Sequence, residues 1–272
     1  MQSFSLSFPA GDPHTIQAFD DGCEFLLIFD QGDFSDSGTS LVSELFERMP
    51  KSVLAKNFRT DVSAFDNLPS GELYIFPGTP APANLSAQNV TGPAGNIPTN
   101  LSYSYHFSQQ QPFEVPGGNV KIIDSTSFPI AENFAAALVT IHPGAMRELH
   151  WHPTSDEWNY VISGSARFTV YEAPDSSGTF DLTEGDVGYI PATEAHYLEN
   201  TGTEDFVYLE MLLAPRYTDI SVNQWLGLTP PQVVKDHLGL PDAVINALPK
   251  TKPFLMPGNR NLLTTNFTGE VL

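Results

Sequence analysis

The chain has 272 residues, enough for one large domain or two modest ones with a substantial core. Its formal net charge of −20 creates a field that repels nucleic acid and anionic membrane surfaces, which excludes both as natural partners. Hydrophobic residues reach 41% against 16% charged, too apolar for a disordered acidic chain, and 23 Pro, 20 Gly and 19 Phe favour short strands joined by turns over long helices.

The opening segment Met1–Phe8 is uncharged and too short to read as a secretory leader. Residues 1–29 read as strand, turn, strand, and Phe25-Leu-Leu-Ile-Phe29 has the composition of a strand buried on both faces. Cys23, the single cysteine, excludes an intrachain disulfide. After a polar loop over Asp30–Thr39, Ser40 to Arg48 has helical spacing, with Leu41, Leu45 and Phe46 on one face and Pro50 as the stop. Val53, Leu54 and Phe58 continue this helical connection.

Residues 66–103 are rich in Pro and Asn and poor in charge, and they read as a linker. Three of four glycosylation sequons fall there (Asn84, Asn89 and Asn100, with Asn266 the fourth), so an extracellular glycoprotein is expected. From Phe113 the chain is dense in segments of strand length. These are Phe134–His142, Glu157–Ile162, Ala166–Glu172, Thr179–Thr183, Val187–Pro191, Ala195–Glu199 and Phe206–Leu213, punctuated by Pro-Gly, Ser-Gly, Glu-Gly and Thr-Gly turns. Such spacing predicts an antiparallel sandwich or barrel. Near the C-terminus Thr229 caps a helix with Pro230 as its first residue, running to about Leu238, and Asp242 caps another. No apolar run reaches the ~20 residues of a membrane-spanning helix.

The chemistry concentrates in Gly144-x5-His150-x-His152-x4-Glu157-x6-Gly164 and Gly185-x5-Pro191-x4-His196-x3-Asn200. Side chains alternate along a strand, so His150 and His152 point the same way, and an antiparallel return past a Pro-containing turn brings Glu157 alongside. Three neutral imidazoles and a carboxylate suit Mn²⁺ or Fe²⁺ and leave two positions open on an octahedral ion. His106, His142 and His237 have no partners at ligand spacing. Pro9-Ala-Gly-Asp-Pro-His14 parallels Pro191-Ala-Thr-Glu-Ala-His196, each followed by an apolar strand-like run, so two unequal copies of one module are expected.

These two stretches resemble the paired motifs of the cupins, with Thr193 where the motif usually has Gly. Arg147-Glu-Leu-His-Trp-His152, Tyr217-Thr-Asp-Ile-Ser-Val-Asn-Gln-Trp-Leu226 and the duplicated module resemble the bicupin oxalate decarboxylases. The resemblance implies an all-β fold, a double-stranded β-helix or jelly-roll barrel, with manganese in each module and dioxygen as co-catalyst. It implies conversion of oxalate to formate and carbon dioxide, and a homo-oligomer at full length. Residue by residue it makes His150, His152, Glu157 and His196 the metal ligands and Arg147 the cation on the substrate carboxylate, where a fixed guanidinium binds bidentately. It makes Glu210 and Tyr217 the catalytic groups beside the metal. Glu210 lies in an apolar run, where burial would raise its pKa and suit it to proton donation.

The first module departs from the pattern. His150 precedes His196 by 46 residues, and the corresponding partner of His14 would fall before Met1. The sequence is therefore expected to carry the end of a first module (1–65) with the remnant ligand His14, the linker (66–103), and a complete second module with C-terminal helices (104–272). Ser35-Asp36-Ser37-Gly38-Thr39 matches the family's mobile lid, with Asp36 one methylene shorter than the usual Glu and Gly38 adding backbone freedom. A truncated chain of this kind is expected to be a poor catalyst. The rival activities are oxalate oxidase, which releases hydrogen peroxide, and a non-enzymatic storage or binding cupin, against which four intact ligands weigh.

Overall fold

Burial alternates along the central strands at the period that half-buried sheet faces require. The computed structural model describes residues 5–35, 38–71 and 74–258. They fall into two units, one of Met1–Asp12 with Asn96–Leu272 and one of Pro13–Gly95.

In the first unit β1 (Ser5–Leu6) pairs with β2 (Ser104–Tyr105). There follow β3 (Phe113–Val115), β4 (Gly118–Ile123), β5 (Ala135–Ile141), β6 (Met146–Trp151), β7 (Glu157–Ser163) and β8 (Ser165–Glu172). Beyond them lie β9 (Ser176–Thr183), β10 (Val187–Ile190), β11 (Ala195–Asn200), β12 (Phe206–Leu212), β13 (Ile220–Ser221) and β14 (Leu255–Met256). One sheet has the order β10-β7-β12-β5-β4-β3, the other β13-β6-β11-β8-β9 with β14 beside β6, and the neighbouring strands run antiparallel. The predicted strands are present to within a few residues of their expected ends. Val120, Val139, Val161, Phe168, Leu198, Phe206 and Tyr208 are buried in one core cluster drawn from both sheets. The β7–β8 turn depends on Gly164: at φ +84° a Cβ there would lie 2.6 Å from the Asp205 carbonyl oxygen, so only glycine fits.

Three helices follow the barrel: α3 (Val222–Leu228), α4 (Pro231–Leu238) and α5 (Asp242–Ile245), numbered after the two helices of the other unit. The sequence reading missed α3. Its cap is Ser221, whose Oγ accepts from the Gln224 amide at 3.1 Å while donating to Glu148 at 2.5 Å. Pro230 is the cap of α4 rather than its first residue, and Pro241, not Asp242, precedes α5. Proline needs no N–H partner at a helix start, so it displaces the polar residues expected there. Gly239 closes α4 in the left-handed conformation.

The second unit carries α1 (Val42–Glu47) and α2 (Lys51–Phe58). Pro50 does stop α1, and it also starts α2, where its carbonyl accepts from Val53 and Leu54. Leu54, Ala55 and Phe65 form a small core, with Phe46 and Leu68 against it. The run Phe25–Phe29 corrects the sequence reading: it forms no strand, and its side chains are 37–57% exposed. An extended run becomes a strand only where a neighbour satisfies its N–H and C=O groups, and among the described residues no strand pairs with it. Asn84, Asn89 and Asn100 are exposed, and Asn266 lies outside the described residues. Among those residues no helix is long and apolar enough to cross a membrane.

Candidate metal centre

His150 on β6 and His196 on β11 are register partners, with ring centroids 4.1 Å apart. His152 lies one residue past the end of β6, and Glu157 opens β7. All four are buried, and one ligand atom from each lies within 4.8 Å of the others. The parity argument therefore holds for His150 and His152, whereas the expected antiparallel return does not: β7 belongs to the other sheet from β6, and Glu157 meets the histidines across the barrel interior.

The backbone fixes the tautomer of each histidine. The Nδ1–H groups of His150, His152 and His196 donate to the carbonyls of Glu148, Thr218 and Glu194 at 2.7, 2.8 and 2.9 Å. A carbonyl only accepts, so each ring carries its proton on Nδ1 and turns the Nε2 lone pair inward. Those three Nε2 atoms and both Glu157 oxygens have no aligned hydrogen-bond partner, although Glu157 Oε2 lies 2.8 and 2.9 Å from the His152 and His196 nitrogens. Buried polar atoms in this state need something else to satisfy them. Three nitrogens and a carboxylate fit a divalent transition-metal ion.

Electrostatics agree. Burial, then the Arg147 charge and the other imidazoles, hold His150 well below its usual pKa and keep it neutral. Burial would raise Glu157, but His196 and His152 hold it well below the usual carboxylate range. Burial would lower His152, yet Glu157 and Glu210 draw it up to about 9. The two carboxylates thus favour positive charge at this point, which a divalent ion supplies as readily as a proton.

Arg147 is fully buried (0%) beside the ligands. Strand parity from His150 would turn it away, three residues being an odd step. Between His196/His150 and Leu198/Arg147, however, the β6–β11 ladder shifts register by one extra β6 residue, and Arg147 and Glu148 both face inward. Its Nη1 donates to the Phe254 carbonyl at 3.2 Å, and Nη2 donates to Tyr217 Oη at 3.1 Å and to Asp219. Tyr217 in turn donates to Glu210 Oε1 at 2.6 Å, and that oxygen is 3.1 Å from His152 Nε2. Burial, then the Glu210 carboxylate, push the Tyr217 hydroxyl well above its usual pKa. Burial opposes the Arg147 charge, but Tyr217 and Glu210 more than restore it.

Sequence reasoning missed Asp219 and Lys252, which pair with each other and so anchor the outer side of Arg147. Burial, then Arg147, bring the Lys252 ammonium down to about 7 against the pull of Glu148 and Glu210. Asp219 lies within the Tyr217–Leu226 segment that carries the family resemblance, whereas Lys252 gives no local signal. The other named positions belong to the Pro13–Gly95 unit, whereas the four ligands lie in the other one. His14 is exposed in the Pro13–Gly95 unit. Gly38 N donates to the Ser35 carbonyl at 3.0 Å, and Asp36 and Ser37 lie outside the described residues.

Thr193 is bound into the site through its amide, which donates to the His152 carbonyl at 2.8 Å, and it holds φ at 73°. That conformation is costly for a β-branched residue. Thr193→Gly is expected to stabilise the fold by about 1 kcal/mol after glycine's entropy is subtracted, which thermal unfolding should show as a Tm rise of about 2–4 °C.

The family model described as Cupin matches residues 104–245. Oxalate decarboxylase OxdC of Bacillus subtilis (strain 168) is 44% identical over 90% of this chain and 63% of its own length. A probable oxalate decarboxylase of Arthroderma benhamiae is 42% identical over 92% of this chain and 61% of its own. The chain thus spans about three-fifths of the length of these curated relatives. Among solved structures, a single-site variant of the Bacillus subtilis enzyme superposes with a TM-score of 0.88 at 43% identity, covering 93% of this chain and 66% of that one. Another, from work on the Mn(II) centres of that enzyme, gives 0.79 at 42% identity, covering 83% and 59%. The family model takes in just over half of the chain, and its span contains β2 to β13 and all four ligands: this chain belongs to the cupin family.

Proposed function

We propose that the chain is a manganese-dependent oxalate-degrading enzyme that converts oxalate and a proton to formate and carbon dioxide. The observation that carries this reading is the placement of a buried guanidinium and a buried carboxylate against three imidazoles whose Nε2 lone pairs are unshared. The names of the relatives support the substrate. A manganese ion held by His150, His152, Glu157 and His196 would supply Lewis-acid and one-electron chemistry to oxalate, with dioxygen as co-catalyst.

The protein's own groups divide the remaining work. Arg147 contributes a fixed positive charge and its Nε, which has no partner and lies 3.8 Å from Glu210 Oε2. Its other donors are held by Phe254, Tyr217 and Asp219, so the cation is oriented before substrate arrives. Tyr217 occupies Glu210 Oε1 and leaves Oε2 without a partner. Oε2 is then the atom that holds the proton and delivers it to the carbon left when carbon dioxide departs. Burial of the whole set excludes water from that carbon.

Glu210→Gln keeps the shape and the Tyr217 contact but removes the acid. Formate release by the manganese-loaded protein is expected to fall on the order of 100-fold with little change in KM. Unchanged formate release in this variant would remove Glu210 from the role. Peroxide as the major product of the parent would turn the reading toward oxalate oxidation.

A further inference from the structure

Asn159 is a buried polar side chain that neither the fold nor the mechanism above uses. It lies on β7 between Glu157 and Val161, all three on the inward face, and is 1% exposed. Its register partner on β12 is Glu210, also inward, so the two side chains are lateral neighbours inside the barrel. Both ends of its amide, Nδ2 and Oδ1, have no hydrogen-bond partner. On its other side the partner is Gly188 of β10, where an added methyl would lie 3.5 Å from Asn159 Cβ and 3.7 Å from Nδ2. Glycine there leaves open the space beside the amide that a larger residue would fill. Tyr208, two residues before Glu210 on the same face, also keeps a buried hydroxyl without an aligned partner.

An amide buried with neither end satisfied carries a full desolvation penalty, and an apolar residue of its shape would avoid it. Such a residue persists in a barrel core where a bound group completes its hydrogen bonds. We infer that Asn159 is a substrate-contacting specificity residue whose Nδ2–H donates to a carboxylate oxygen of oxalate on the Glu210 side of the pocket. The inference rests on the oxalate reading above. Arg147 already supplies the charge for an anion, and a neutral donor adds direction without a second cation that would slow product release. A site that hydrogen-bonds a substrate oxygen also discriminates strongly against molecules lacking it.

The test uses the manganese-loaded full chain without dioxygen, so that oxalate binds without turnover, and measures its Kd by calorimetry. Asn159→Leu is close to the amide in shape. It is expected to keep the metal content and to match or exceed the parent's Tm, since it removes two unsatisfied groups, while raising the oxalate Kd at least tenfold. A merely structural asparagine would not separate stability from affinity in this way. If leucine disturbs the metal, Asn159→Ala, which cannot overpack the barrel, is judged by the same criterion. Oxalate binding within twofold of the parent in a metal-loaded variant would overturn the assignment and leave the amide with water alone. Failure of the parent itself to bind oxalate would instead overturn the functional reading, and this inference with it.

Discussion

Replacing His150 by alanine is expected to abolish tight metal binding. Its Nε2 is one of three imidazole nitrogens aimed at one point, and its Nδ1 is committed to the Glu148 carbonyl. Loss of groups that merely orient ligands lowers metal affinity about 10–100-fold, and loss of a ligand should exceed that. Elemental analysis of purified protein should show about one manganese per parent chain and almost none in the variant. A second reading comes from thermal unfolding, because an ion that binds only the native state stabilises it by about 2.7 kcal/mol at a concentration 100 times its Kd. Added manganese should therefore raise the parent's Tm and leave that of His150→Ala unmoved. An equal rise in both would remove these four residues as the site.

Arg147→Met is expected to have the largest effect on stability. The guanidinium is the common partner of Tyr217, Asp219 and the Phe254 carbonyl, with Glu210 and Glu148 at 3.8 and 3.9 Å. Removing it leaves Glu148 and Glu210 buried beside the place of the lost charge, and Asp219 with Lys252 alone. Breaking one side of a buried charged network costs about 3–5 kcal/mol, which predicts a Tm drop on the order of 10 °C. Arg147→Lys keeps the charge but cannot reach three acceptors with one fork. It should recover part of the stability while oxalate binding stays weak. A methionine variant as stable as the parent would show that the charges around Arg147 neutralise one another without it.

The two units were legible in the sequence to different degrees for a physical reason. In the barrel each strand has at least one partner strand, so period-2 alternation, glycine turns and partner ladders all specify the same structure, and the ends of β7, β10 and β12 fall close to where they were expected. Phe25–Phe29 has the composition of such a strand but no partner strand among the described residues, and composition alone does not satisfy a backbone. The α4 and α5 starts differ by one residue from the expected ones because Pro230 and Pro241 take the cap positions expected of Thr229 and Asp242, and α3 was missed because its cap, Ser221, is held by Glu148 from a distant strand.

The four ligands could be read from spacing because His150 and His152 share a strand face and Glu157 follows a short turn, while the Pro191–Asn200 motif marks His196 on its own. Strand parity is local information, and it suffices wherever a strand is regular. Arg147 shows where it stops: read from His150 it belongs on the outer face, and only the extra β6 residue in the ladder with β11 turns it inward beside Glu148. The partners that then fix its charge, Asp219 and Lys252, come from segments 72 and 105 residues away along the chain. The unsatisfied amide of Asn159 likewise becomes visible only when β12 places Glu210 on one side and β10 places Gly188 on the other. Residue type and spacing determined which atoms can bind a metal; register and burial between distant strands decided which charges surround it.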